Sequence, residues 1–258
     1  MEKTIADMKV GERLFFGTYG VGQCAQPISW LKATRNNVFI AEYVLDNLIY
    51  DAREQDHPMR TMRSGGNANY VLSNILQFLN CEDDVWYGPT HEFDMPPSHT
   101  NPYVSRDSYY FHRPGFLNGF QAFEIESLSG HIHLPSLDDI ISGRKYELFN
   151  RKGIRAKATM DVIANKRNHG WGEKSYAEFW TSSEVGVNRV SVVTRGGYAD
   201  HRSPAETCGV RPICSITPNT KVESVKDLQG YRLIPFEATK KSEAVCTEEE
   251  LSIFLGLL

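Results

Sequence analysis

The chain predicts an α+β fold, and three observations carry that prediction. Arg189 to Arg195 and Val210 to Ile216 alternate like β-strands on either side of a glycine-rich turn. Leu72, Ile75, Leu76 and Leu79 recur at helical spacing. Thr247 to Glu250 forms a capping box ahead of Leu251, Phe254, Leu255 and Leu258, which mark one helical face.

In chain order, residues 5–11 are a short lead-in and Glu12 to Tyr19 is a first strand. Gly17, Gly20 and Gly22 lack the spacing and the following helix of a dinucleotide loop. Ile28 to Ala33 and Val38 to Tyr43 are joined through Arg35, Asn36 and Asn37. Asparagine tolerates the left-handed turn conformation, so this pair reads as a hairpin. Residues 51–66 are polar loop. Asn67 to Asn80 is the clearest internal helix, capped by Asn67 or Asn69.

Residues 82–118 are rich in proline and glycine yet carry many aromatic rings. A long ordered loop of this kind is either a lid packed on the core or a contact surface. In the second case Tyr109, Tyr110 and Arg113 are contact candidates, since rigid amphipathic rings and arginine dominate binding surfaces. Ser136 to Asp139 reads as a helix start, with a hydroxyl cap and a carboxylate three residues on. Residues 142–175 are basic and irregular. Pro212 lies inside the last strand and cannot donate to a ladder, so that strand sits at an edge or carries a bulge. Residues 217–246 are polar with sparse apolar anchors. The terminal helix, at about 12 residues, is marginal alone. It must dock on its own domain or swap to a second copy, which makes a homo-oligomer through this helix one expectation.

Composition sets limits. The chain has 258 residues, 41% hydrophobic and 23% charged, with a net charge of −4. That balance gives no global attraction for nucleic acid or anionic membrane. No apolar run reaches the roughly 18 residues of a membrane span, and no signal-peptide core opens the chain, so a cytoplasmic protein is expected. Five cysteines, at 24, 81, 208, 214 and 246, contain no C-x-x-C pair, so free thiols are the default.

Four constellations bear on function. His131 and His133 fall on one side of an extended segment. They could begin a metal site, with His91, Asp94, His99 or His201 as further ligands, or form a solvated pair. Glu124 and Glu126 read as a solvated face. Ser182, Ser183 and Ser191 lack a nucleophile-elbow setting. Arg211, beside Pro212, needs a carboxylate or carbonyl partner if buried, and is expected to act as a structural fork.

Several motifs occur in an order that resembles a known family. Trp180-Thr181-Ser182-Ser183, a strand, a glycine-rich turn and Gly209-Val210-Arg211-Pro212 look like its C-terminal signature. Phe16-Gly17-Thr18-Tyr19, Pro27-Ile28-Ser29-Trp30, the segment ending Phe78-Leu79-Asn80, and His133 to Asp139 resemble its upstream motifs. The family is an uncharacterised domain of Firmicutes and their phages. It is similar to the formylglycine-generating (sulfatase-modifying factor) branch of the C-type lectin fold.

The resemblance spans roughly residues 8 to 217. It implies a C-type lectin-like domain over 1–218, with a loop insertion at about 82–122, and a C-terminal extension over 219–258. The insertion, the missing second tryptophan before Thr181 and the tail depart from the pattern. The family carries no established activity. What it implies is a non-catalytic recognition module without cofactor, binding a host or phage protein or a small ligand. Such a module could be phage-encoded and work in the host cytoplasm, or sit on the particle and bind a receptor. The end of the domain holding Arg195, Tyr198, His201 and Arg202, with Trp180 nearby, is then the expected ligand surface; a solvated hairpin tip is the plainer alternative. The rival implication is an oxidoreductase of the formylglycine-generating kind that uses Cys208 and Cys214, against inert thiols.

Overall fold

The computed structural model describes residues 3–20, 25–51, 66–84, 114–141, 148, 154–159, 162 and 176–235. Its strands are β1 (Lys3–Thr4), β2 (Arg13–Tyr19), β3 (Gln26–Lys32), β4 (Val38–Ala41), β5 (Asp46–Ile49), β6 (Ala156–Lys157), β7 (Tyr176–Ala177), β8 (Phe179–Gly186), β9 (Arg189–Val193), β10 (Ala199–Arg202), β11 (Thr207–Val210), β12 (Ile213–Ser215), β13 (Lys221–Val225) and β14 (Gly230–Leu233). Three short helices, α1 (Asn74–Leu79), α2 (Ala122–Glu126) and α3 (Leu137–Ile141), accompany them. The architecture is therefore α+β and dominated by sheet.

One sheet has seven strands in the order β1-β13-β14-β2-β3-β4-β12; a second has five, β10-β9-β8-β11-β5. A short pair, β6 and β7, stands apart. The main core joins Leu14, Phe16 and Trp30 of the first sheet to Leu48, Trp180, Val190 and Val192 of the second, with Ile75, Phe78 and Leu79 from α1. Phe16 and Trp30 stack at 5.0 Å, and Tyr50 meets Trp180 edge-on at 5.4 Å. A smaller cluster around Ile40, Ile140, Phe179, Val193 and Ile213 fills a second apolar body. Among the described residues no helix is long and apolar enough to cross a membrane.

Local chemistry explains several elements. Asn37 takes φ +61° in the β3–β4 turn, the left-handed conformation its side chain favours. Ser136 Oγ accepts from the Asp139 amide at 3.1 Å and starts α3. The expected helix over 67–80 is split. Asn69 caps a 3₁₀ turn at Tyr70–Leu72, and Ser73 then caps α1. Ser73 Oγ accepts from the Leu76 amide, which lets the chain restart at a new angle.

Three expectations are corrected. Val210 to Ile216 is not one strand: β11 belongs to the five-stranded sheet and β12 to the seven-stranded one, with Arg211 and Pro212 at the crossing. Proline's missing donor interrupts the ladder; β12 is an edge beside residues 129–133, whereas β11 lies inside its sheet between β8 and β5. Residues 221–233 do not begin an appendage; β13 and β14 lie between β1 and β2 within the large sheet. Glu124 is 8% exposed rather than solvated, accepting from the Gly17 amide at 3.1 Å and the Gln121 amide at 2.8 Å. The C-terminal helix expected over 247–258 lies outside the described residues.

Arg211 has the carbonyl partners that its burial requires. It is 2% exposed, and its Nε donates to the Ala41 carbonyl at 2.9 Å and its Nη1 to the Ile154 carbonyl at 3.0 Å. The guanidinium also lies 5.3 Å from the Phe179 ring centre. Burial lowers its pKa to about 9, partly offset by the charge of Glu42. It thus ties β4 of one sheet to the strand that leaves the other.

Candidate functional site: a groove at the bulge of strand β8

Strand β8 loses register with β9 after its first two residues. Trp180 faces Val192 and Glu184 faces Val190, so Thr181, Ser182 and Ser183 stand against Ser191 alone. A bulge of this kind bends its strand and re-aims side chains. Three hydrogen bonds hold it. Thr181 Oγ donates to the Ser191 carbonyl at 2.9 Å, replacing a lost ladder bond. The Ser182 amide turns outward and donates to the Pro135 carbonyl at 2.9 Å. Ser183 Oγ accepts from the Leu137 amide at 2.8 Å.

The outer edge of β8 is open to this segment because β11 meets β8 only at Gly209 opposite Phe179. That contact requires glycine, since a Cβ there would lie 2.3 Å from the Glu178 carbonyl oxygen. Beyond it the two strands part. Into the gap come α3 and the 3₁₀ turn at Tyr70, whose hydroxyl accepts from the Leu134 amide at 2.6 Å.

The result is a groove of about 550 Å³, lined by Asn69, Tyr70, Leu137, Asp138, Ser182, Ser183, Glu184, Val185 and Ser191. Its polar atoms are hydroxyls, an amide and two carboxylates, and no lysine, arginine or histidine is among these residues. Ser191 is 1% exposed. Beneath lies Tyr50, also fully buried, whose hydroxyl is unpartnered among the described residues; burial pushes its pKa far up, with Tyr70, Asp51 and Glu184 adding to the shift.

The residues expected to contact ligand are placed as follows. Trp180 is fully buried and donates from Nε1 to the Leu48 carbonyl at 2.8 Å, so it supports the site from below and cannot touch a ligand. Its body is too large and apolar to stay outside this core. Arg202 is held in a fork by Glu178, at 2.9 and 3.2 Å. Arg195 is exposed in the turn after β9, and Tyr198 is 75% exposed. His201 pairs with Ser191 across the β9–β10 ladder, so its side chain leaves the same face of the sheet. Of the expected surface, then, His201 is the residue in register with the groove. Tyr109, Tyr110 and Arg113 lie outside the described residues.

The histidine and cysteine proposals separate just as clearly. His131 is exposed, His133 is half-buried, and Ile132 between them is in the core, as alternation anticipates. His133 Nδ1 lies 3.0 Å from the Leu134 carbonyl. Among the described residues no three His, Cys, Asp or Glu side chains converge; His91, Asp94 and His99 lie outside them. Cys208 is on β11 and Cys214 on β12, in different sheets. Both are buried and unbridged, and burial pushes both thiols well above their ordinary pKa.

Sequence reasoning missed every residue that lines the groove; Ser182, Ser183 and Ser191 were weighed only as nucleophiles. One signal was available: three consecutive hydroxyl residues after Trp180 break the apolar alternation of a central strand. Comparison of the chain with protein-family models, curated proteins and solved structures gave no match.

Proposed function

We propose that this chain is a non-catalytic recognition module on a C-type lectin-like framework, and that its ligand, a protein or small molecule, occupies the β8 groove. The observation that carries the reading is a preformed polar groove at the β8 bulge, lined by hydroxyls and carboxylates that three separate segments bring together. A concave site with a few convergent polar groups is the kind of place where ligands bind. The hydroxyls there have no histidine or lysine base among the lining residues, which favours binding over acyl transfer. The buried thiols likewise favour inert cysteines over redox chemistry, because the thiolate is the reactive form.

The test is capture of a partner from lysate of the organism that carries the gene, with mass spectrometry. Three baits are compared: the unaltered chain, the double variant Cys208→Ala/Cys214→Ala, and Ser182→Trp, which fills the groove. The expected result is one stoichiometric partner, kept by the cysteine variant and lost by Ser182→Trp with an intact melting transition. Capture indifferent to the filled groove, or a turnover that requires Cys214, would overturn the reading.

A further inference from the structure

The five-stranded sheet ends at β10 (Ala199–Arg202), which among the described residues pairs only with β9. The Thr194 amide donates to the Tyr198 carbonyl at 2.8 Å, and pairing runs on from there, Ala199 opposite Val193 and His201 opposite Ser191. Hydrogen-bonded and non-hydrogen-bonded pairs alternate along an antiparallel ladder. Tyr198, Asp200 and Arg202 therefore bond to β9, while Ala199 and His201 turn their N–H and C=O groups outward. The His201 amide agrees: it donates to Asp200 Oδ1, at 2.9 Å, and not to β9. Among the described residues no other strand takes up this edge.

A row of outward donors and acceptors is a template for another strand, and the side chains say which one. Two copies of β10 can pair antiparallel about a two-fold axis only where outward residues oppose outward residues. Centring the axis on Asp200 sets two carboxylates face to face, which is unfavourable. Centring it on Ala199 runs the pairing into the turn at Gly196 and Gly197. Centring it on His201 sets Asp200 opposite Arg202 of the second copy, twice over. We infer that the protein self-associates in this last register, as a two-fold dimer whose two five-stranded sheets continue into each other through β10.

The charges are placed for it. Glu178 holds Arg202 through Nε and Nη2, at 2.9 and 3.2 Å, and leaves Nη1, which lies 3.8 Å from Asp200 Oδ2 of its own chain. The Asp200 and Arg202 side chains are 45% and 38% exposed, so both can be reached. On pairing, the His201 amide exchanges Asp200 Oδ1 for the His201 carbonyl of the second copy. The released carboxylate then meets the second copy's Arg202. In the single chain the same carboxylate covers the edge amide, which turns unrelated strands away and leaves the self-pairing register charge-matched.

Sedimentation equilibrium of the full chain, from about 1 to 500 µM, should show monomer passing into dimer, the range expected of a short edge with partly exposed ion pairs. Asp200→Arg should raise the dissociation constant at least about tenfold, since it turns two attractive pairs into two repulsive ones. Arg202→Asp should do the same. Mixing the two variants should restore association, because each new charge then faces its opposite in the other variant. His201→Pro removes the outward amide at the centre and no bond to β9, so it should abolish the dimer with an intact melting transition.

A chain that stays monomeric throughout would overturn the inference. So would a dimer indifferent to Asp200→Arg and His201→Pro, whose interface would lie elsewhere. Two folded charge variants that fail to associate when mixed would overturn the register. Arg202→Asp also loses its contact with Glu178; should it not fold, hydrogen exchange decides. Exchange at the His201 amide should slow as concentration rises in the unaltered protein and not in Asp200→Arg. Dimerisation without that protection would overturn the pairing through β10.

Discussion

Replacing Arg211 tests what holds the two sheets together. Its guanidinium donates to the main-chain carbonyls of Ala41 and Ile154, at 2.9 and 3.0 Å, from a buried position. Hydrogen bonds to a charged group contribute about 1.5–3 kcal/mol each, so losing both costs about 3–6 kcal/mol. Relief of the desolvation penalty, which already depresses the arginine to about pKa 9, opposes that loss by a few kcal/mol. For Arg211→Met, which keeps most of the packed volume, the balance is a net loss of about 2–3 kcal/mol. Arg211→Ala adds a cavity and should cost about 4 kcal/mol or more. Arg211→Lys keeps the charge but not the fork, and should fall at about 2 kcal/mol. Urea unfolding, followed by tryptophan fluorescence, measures all three through the midpoint at constant slope. A methionine variant as stable as the unaltered protein would refute the reasoning. The fork would then contribute nothing net to joining the sheets.

Three further outcomes follow from the packing and charge. Gly209→Ala should destabilise by about 1–3 kcal/mol, since its Cβ would press on the Glu178 carbonyl at 2.3 Å and Val44 at 2.6 Å; an unchanged melting temperature would show that β8 and β11 can part freely. Glu124→Ala should cost about 2 kcal/mol by orphaning the Gly17 and Gln121 amides, and faster hydrogen exchange at Gly17 should accompany it. The Glu42 carboxyl is pushed up by burial, but hydrogen bonds from Arg13 and Ser29 outweigh that and hold it below its ordinary 4.5. Its contribution is thus present above about pH 4.5 and lost as pH falls through the lower folded value, so the melting temperature should drop through that window. Glu42→Gln should flatten the drop, and an identical acid profile would count against the assignment.

What was legible in the sequence was the local part. The Ser136 cap, the Asn37 turn and the strands at Arg13–Tyr19 and Arg189–Val193 each depend on a few adjacent residues, and each stands close to where pattern placed it. Alternation also put His131 and His133 on one side, with Ile132 inward. It could not say which sheet a strand joins. Val210 and Ile213 look alike as apolar strand residues, yet they serve different sheets. Nor could it find β13 and β14, whose sparse anchors, Val222 and Leu233, suit strands with one wet face. Glu124 was misjudged because a buried carboxylate is rare unless amides await it, and one of its amides, that of Gly17, lies 107 positions away. The groove was out of reach for the same reason: its lining comes from residues 69–70, 137–138 and 182–191, brought together only by the fold.

One geometric cause links the crossing at Arg211 to the groove. Once β11 turns away after Val210 to send β12 into the other sheet, β8 has no parallel neighbour past Phe179. An unpaired edge in the middle of a fold must be satisfied or wetted. Residues 135–137 satisfy part of it, through Pro135 to the Ser182 amide and Ser183 to the Leu137 amide, but they approach as a helix start rather than a strand. A helix start cannot follow a strand edge residue for residue, so β8 bulges, and a hollow remains between the two. The hydroxyl residues 181–183 suit that hollow, because short polar side chains can bond to local backbone where the ladder fails. The site thus follows from the same crossing that Arg211 secures. If the groove is the binding site proposed above, Arg211 variants that remain folded should capture its partner more weakly as the crossing loosens. An Arg211→Lys protein with reduced stability but undiminished capture would separate the two and break this link.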